Sequence, residues 1–309
     1  MENGYGVYLN FKKTLLEELE AESIEIVREC YGAFKNPVIL YSIGKDSTVL
    51  LEIVKKAFHP MKIPFPVMHV DTTWKFKSMI NFRDRIFKEQ KLNYIIKSNT
   101  NGMISGVNPF DYSSTEYTRI MKTVPLREGL DENEFDCAFG GSRRDEERSR
   151  AKERVFSLRN NGHIWDPRNQ RPELWKSINL NKTEGQSFRV FPLSNWTEID
   201  IWRYIELNEL DICDLYFSQQ LPTVVRNGQL IVVDDSRFRL RENEVVEIKQ
   251  VRFRSLGCYP LTAAMVSKAN SIQEIILELE SNTLSERAGR LIDGEKNDSM
   301  EFKKREGYF

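Results

Sequence analysis

Apolar and small residues recur at helical spacing between residues 14 and 34 (Leu16, Leu19, Ser23, Val27, Cys30, Phe34), and the run stops at Asn36-Pro37, where the position before proline disfavours helix. This predicts one amphipathic helix. PVILYS follows as a short, nearly all-apolar run that suits a strand covered on both faces. STVLLEIVKKAF (residues 47–58) returns to the helical period and predicts burial of Val49, Leu50, Ile53, Val54 and Phe58. FPVMHVDT (65–72) predicts a second strand, NFRDRIFKEQ (81–90) a helix, LNYIIKS (92–98) a third strand and FDCAFGGS (135–142) a fourth. Alternating strands and helices predict an α/β fold on a parallel sheet.

Beyond residue 142 the chain is dense in charge, RRDEERSRAKERVFSLR. SFRVFPLS (187–194) predicts a fifth strand, and Thr197 with Asp200 three residues on predicts a capped helix through IDIWRYIELNEL. Asn227-Gly228 between two β-rich runs predicts a hairpin with a mirror-type turn. Ser271 and Glu274 predict a capping box for a last helix over 271–290. The expected division is an N-terminal helix (1–36) packed on an α/β core (37–215), then a C-terminal extension (216–309) holding the hairpin and the last helix.

Composition narrows the function classes. The chain has 309 residues, 40% of them hydrophobic, and a formal net charge of -1 from 45 basic and 46 acidic side chains. Nothing global steers it to nucleic acid or to an anionic membrane, so any anion must be held by a local arrangement. No run has the apolar length of a membrane span, and the opening MENGYGVYLNFKK lacks the pattern of a secretory signal, which predicts a cytoplasmic protein. Cys30, Cys137, Cys213 and Cys258 lie far apart with no C-x-x-C pair, so neither a zinc site nor a vicinal redox pair is spelled out.

YSIGKDSTVLL (residues 41–51) is the strand-to-helix joint at which chemistry would concentrate. A strand ending at Ser42 and feeding a helix brings backbone N–H groups and the positive end of the helix dipole to one point. Gly44 permits a tight or left-handed turn, Lys45 supplies a cation, and Ser42 and Ser47 supply hydroxyls. The Walker A pattern fails twice, because Ile39 stands where its first glycine belongs and Asp46 follows the lysine. Two readings stay open on the residues alone: structural punctuation or an anion cradle.

Other candidates lie at later strand ends. Asp71 and Thr72 end the second strand, where open α/β sheets bind ligands; Asp71 also suits a helix cap, and His69 suits a packed sheet position. Gly140 and Gly141 let the backbone approach a ligand, and Arg143 and Arg144 are able to make bidentate contacts to phosphate or sulfate. For residues 145–150 a solvated helix of opposite charges, with Glu146 and Arg150 four apart, is the plainer alternative. Arg168 and Arg171 either reach an anion or hold their loop, while Trp196 and Trp202 suit the core.

SIGKDS resembles the S-G-G-x-D-S pyrophosphate loop of the N-type ATP pyrophosphatases, with Ile43 in place of the first glycine of the pair. HVDT, GGSRRDEERSRAKER, WDPRNQRPELW, FPLSNWTEIDIWRYI, LGCYPLT, SERAGR and KKREGYF extend the likeness over nearly the whole chain. Together they resemble the small catalytic subunits of bacterial sulfate adenylyltransferases, within the phosphoadenylyl-sulfate reductase and N-type ATP pyrophosphatase family. The resemblance implies an adenine nucleotide alpha hydrolase-like, Rossmann-like core. It implies attack of sulfate on the α-phosphorus of ATP, with Mg2+ accompanying ATP and no tightly bound organic cofactor. ATP binding falls by resemblance on Ser42, Ile43, Gly44, Lys45, Asp46, Ser47, His69, Asp71, Thr72, Gly140 and Gly141, and the catalytic roles on Lys45, Arg143 and Arg144. The metal ligands are left unassigned. The partner implied is the GTPase large subunit, in a heterodimer or higher oligomer.

Two rivals belong to other classes. The related sulfonucleotide reductases use a nucleophilic cysteine near the chain's end, whereas the last cysteine here is Cys258. A non-catalytic nucleotide-sensing subunit of the GTPase would need no second anion site, which the arginine pair argues against.

Overall fold

The computed structural model describes residues 2–146, 150–173 and 178–281. A seven-stranded sheet has the order β3-β2-β1-β4-β7-β5-β6. Its strands are β1 (Pro37–Leu40), β2 (Val67–Val70), β3 (Tyr94–Lys97), β4 (Cys137–Phe139), β5 (Phe156–Asn160), β6 (Ile164–Trp165) and β7 (Ser187–Val190). The sequence predicted a parallel sheet, and β3, β2, β1, β4 and β7 are parallel, but β5 and β6 complete it antiparallel. β5, FSLRN, begins at the end of the charge-dense stretch, where Arg159 disguises a strand as surface.

Helices α1 (Glu2–Ala33), α2 (Lys45–Phe58), α3 (Lys77–Glu89) and α7 (Glu198–Leu207) bury their apolar sides with Ile39, Phe139, Phe188 and Val190 in one large core. α1 starts before the predicted residue 14. On the opposite face Val38, Met68 and Ala138 pack with Leu126 and Leu130 of α6 (Val124–Glu132). Short helices α4 (Thr100–Ile104) and α5 (Ser114–Thr118) and a π-helical turn at Arg119–Thr123 lead into α6. The sequence reading offered no element there: α4 is a single turn, and the π-helical turn shifts the 3.6-residue period between α5 and α6.

A second sheet, ordered β11-β10-β8-β9, holds β8 (Gln219–Arg226), β9 (Gln229–Val232), β10 (Glu247–Arg252) and β11 (Met265–Val266). Asn227 (φ 50) and Gly228 (φ 76) are both left-handed, as the predicted mirror turn requires. Thr197 and Asp200 form the expected capping box on α7. α8 (Ile272–Ser281) carries half of the predicted box: Ser271 Oγ accepts from the Glu274 N–H, but the Glu274 carboxylate takes the N–H of Asn270. The remainder of that helix, SERAGR, KKREGYF, residues 147–149 and the LW end of WDPRNQRPELW lie outside the described residues. Trp196 and Trp202 are fully buried, as expected. Among the described residues no helix is long and apolar enough to cross a membrane.

Candidate active site

The chain leaves β1 toward β2 and β3 on one side and returns to β4 on the other. The ends of β1 and β4 therefore diverge, the place where open α/β sheets admit ligands. A pocket lies there. Leu40, Met68, Val70 and Leu126 supply apolar wall; Ser42, Gly44, Asp46 and Ser47 supply the loop; Gly141, Ser142, Glu146 and Arg150 follow β4. Lys75, Lys122, His69, Tyr216 and residues 255–257 complete the lining.

The loop is set by an unexpected residue. Gly44, which the sequence offered as the left-handed position, is extended (φ -79, ψ 162), and Ile43 takes the positive φ of 70. A β-branched residue there is strained by about 1–2 kcal/mol. Its side chain is buried in the main core, so packing holds the backbone where a glycine would go unforced. A Cβ at Gly44 would crowd Ser42 Oγ mildly, at 3.3 Å, and touch the Tyr216 hydroxyl at an ordinary 3.5 Å.

Gly44 caps α2 without any side-chain hydrogen bond, which leaves first-turn donors for a ligand. Of the N–H groups at 44–47 that the loop was expected to present, that of Lys45 donates to the Tyr216 hydroxyl at 2.8 Å. Ser47 Oγ donates to the Gly44 carbonyl at 2.9 Å and Ser42 Oγ to Ser47 Oγ at 3.2 Å.

Lys45 was expected to face the phosphates. It is fully buried, with Nζ 3.2 Å from Asp46 and 3.9 Å from Glu198. Arg143, also buried, donates from Nε to Asp46 Oδ1 at 2.6 Å. Burial alone would raise the Asp46 carboxyl, but the Lys45 and Arg143 cations outweigh it and hold it below the usual carboxylate range. Neither cation lines the pocket; both brace the loop through Asp46. Arg144, partly exposed, donates to Asn195 Oδ1 at 2.6 Å and approaches Glu173 at 3.7 Å. Gly141 comes close to the loop: a Cβ would lie 3.0 Å from the Asp46 carbonyl carbon and 3.1 Å from Ser47 N. Gly140 donates its N–H to Val190 at the end of β7.

At the end of β2, Asp71 caps the Thr73 N–H and pairs with Arg83 at 2.8 Å, while Thr72 is buried against Trp74 and Cys258; neither lines the pocket. His69 does. Its Nδ1 donates to the Tyr41 carbonyl at 2.7 Å, and burial, then the Lys75 cation, pull its pKa down to about 3, so the ring is neutral. Arg171 holds its own loop, donating to Asn179 and lying over Phe188; Arg168 gives its backbone N–H to Asp166.

Among the described residues, the cations that do line the pocket are Lys75 and Lys122, which were not singled out from sequence, and Arg150, which was named only as the partner of Glu146 on a solvated helix. Lys122 sits in the π-helical turn, a device common at functional sites. Arg150 begins a short 3-10 turn (Arg150–Lys152) and is buried, so no solvated helix begins at this residue. Among the described residues no group of three His, Cys, Asp or Glu side chains forms a metal-binding cluster.

Residues 36–264 match the phosphoadenosine phosphosulfate reductase domain family. The sulfate adenylyltransferase subunit 2 of Acinetobacter baumannii (strain AYE) is 58% identical over 296 residues, 96% of this chain and 97% of that protein. The protein of the same name from Vibrio cholerae serotype O1 (strain ATCC 39541) is 56% identical over 96% of this chain and 98% of its own length. Among solved structures, the phosphoadenylyl-sulfate reductase of Candida auris superposes with a TM-score of 0.47 at 15% identity, covering 65% of this chain and 88% of that one. With more than half of its sequence identical to those relatives from end to end, the chain belongs to the sulfate adenylyltransferase subunit 2 family.

Proposed function

We propose that the chain transfers the adenylyl group of MgATP to sulfate, forming adenosine 5'-phosphosulfate and releasing pyrophosphate. The observation that carries this is a pocket with an apolar wall that is lined by the start of α2, where Gly44 makes no side-chain cap, and by three basic side chains. The apolar wall suits adenine, and the first turn of α2 with Ser42, Gly44 and Ser47 suits the departing pyrophosphate. Lys75 and Lys122 add positive charge where the transition state gathers negative charge. Lys45 and Arg143 act through Asp46, holding the loop in shape rather than touching phosphate. Sulfate arrives fully ionised, so no general base is required; the demands are in-line placement and charge neutralisation. Magnesium enters as part of the MgATP substrate, and Asp46 and Glu146 are the carboxylates on the pocket wall.

The relatives carry the name subunit 2, which supports a partner subunit here. Formation of a sulfate-phosphate anhydride from ATP is strongly uphill, and this sequence has no Walker A loop of its own; a GTPase partner fits both facts. The C-terminal extension is the proposed docking element. Removal of residues 294–309 is expected to weaken co-purification with the partner, and an unchanged GTP-dependent rate would sink that role. A thiol reductase is not favoured: burial pushes the Cys137 and Cys213 thiols up, away from the reactive thiolate. The deciding experiment is sulfate-dependent exchange of labelled pyrophosphate into ATP with the partner present. Exchange that ignores sulfate would overturn the reading.

A further inference from the structure

A buried cluster of charge adjoins the pocket on the α6 face of the sheet. Val38 pairs in register with Ala138 and Ala138 with Arg189, so Arg189 lies on the same face as the apolar pocket wall. The antiparallel pairing of β5 with β7 sets Ser157 opposite Arg189 and Arg159 opposite Ser187. Two arginines and two serines thus form a diagonal pattern, all of them buried. Glu153, 4% exposed, bridges this pattern to the pocket. One of its oxygens accepts from Arg159 Nη2 at 2.6 Å and from Ser157 Oγ at 3.2 Å, and the other lies 3.5 Å from Arg150 Nη1. Glu146 approaches Arg150 Nε at 3.8 Å.

Among the described residues, the guanidinium groups of Arg150, Arg159 and Arg189 gather around the carboxylates of Glu153 and Glu146, with the more exposed Asp131 also acting on Arg189. Both terminal nitrogens of Arg189, and Nε and Nη1 of Arg159, have no hydrogen-bond partner. Burial, and then the neighbouring Arg159 cation, push Arg189 down to about 9, against the opposing pull of Glu153 and Asp131. Of the three arginines only Arg150 reaches the pocket wall. We infer that Arg150 receives the attacking sulfate, and that Glu153, anchored by Arg159, is the positioning residue that aims it. This rests on the adenylyl-transfer reading above. The tetrahedral oxygens of an inorganic dianion suit a guanidinium fork fixed at the pocket wall.

The test measures two quantities separately: the KM for sulfate in pyrophosphate exchange, with the partner present, and the Kd of a non-hydrolysable ATP analogue without sulfate. Glu153→Gln is expected to raise the sulfate KM about tenfold, equal to about 1.4 kcal/mol, with kcat at saturating sulfate falling less. Arg150→Gln should raise it further, Arg150→Lys should recover part of the loss, and the analogue Kd should change less than about threefold in all of them. An unchanged sulfate KM, or an analogue Kd that rises in step with it, overturns the inference. Should Glu153→Gln fail to fold by thermal melting, the two Arg150 variants decide alone, since they alter the pocket end. Lack of any sulfate dependence in the wild-type chain overturns the functional reading and this inference together. Wild-type dependence with unmoved variants removes this inference only.

Discussion

Nε of Arg143 lies 2.6 Å from Oδ1 of Asp46, while Nζ of Lys45 lies 3.2 Å from the other oxygen of the same carboxylate. The turn after β4 and the first turn of α2 are therefore joined through one side chain. Arg143→Ala removes a buried partner from a charged pair and is expected to lower stability by about 3 kcal/mol. The exchange rate should fall about 100-fold through misplacement of the loop. Thermal denaturation and the exchange assay check this; a stable variant with the wild-type rate would detach the clamp from function.

Gly141→Ala would drive a methyl group into the backbone of Asp46 and Ser47. Because neither neighbour is the end of a flexible side chain, the loop itself must move. Affinity for an ATP analogue should drop at least about tenfold, or about 1.4 kcal/mol, measured by calorimetry. Unaltered affinity would mean that the loop has room to shift without harm.

Ile43→Gly tests two opposed effects. Relief of the left-handed strain favours the variant by about 1–2 kcal/mol, whereas loss of a buried branched side chain costs about 2–5 kcal/mol and added glycine freedom up to about 1 more. Packing wins, with an expected net loss of about 2 kcal/mol in urea denaturation. A gain in stability would show that the strain was the larger quantity.

His69 gives a pH dependence with a definite sign. Its folded pKa is lowered to about 3, so below its ordinary value of about 6.5 the unfolded chain binds the proton and the native chain does not. The stabilisation is complete above about pH 6.5 and is lost as pH falls toward 3, by up to about 1.4 kcal/mol per pH unit. His163, pulled down to about 4 by burial and then by Arg189, acts in the same direction. Urea midpoints at pH 7 and pH 5 should differ less in His69→Gln than in the wild type; identical pH dependence would exclude His69 as a source.

The parts of this fold legible in sequence are those with a sustained period or a capped end: β1, α2, the α7 box and the Asn227-Gly228 turn. Residues 100–132 escaped because α4 is a single turn and a π-helical turn shifts the period between α5 and α6, and β5 because buried Arg159 breaks the apolar run that marks a covered strand. The pocket's position was legible from strand-end motifs. Its cations were not: burial separates Arg143, beneath the loop, from Arg150, on the wall, and that distinction is tertiary. Nor does a sequence announce that an isoleucine, rather than the adjacent glycine, will take a positive φ; only the surrounding core imposes it.

The pocket borrows Tyr216 and residues 255–257 from beyond the strands that frame it. A nascent chain that has emerged only to residue 215 carries β1, β2 and β4, and so most of the loop, yet one wall is still inside the ribosome. Tyr216, which takes the Lys45 N–H, is likewise missing. Nucleotide gains its full hold only once about five-sixths of the chain has emerged, so the sheet that binds it has to form before the complete pocket exists.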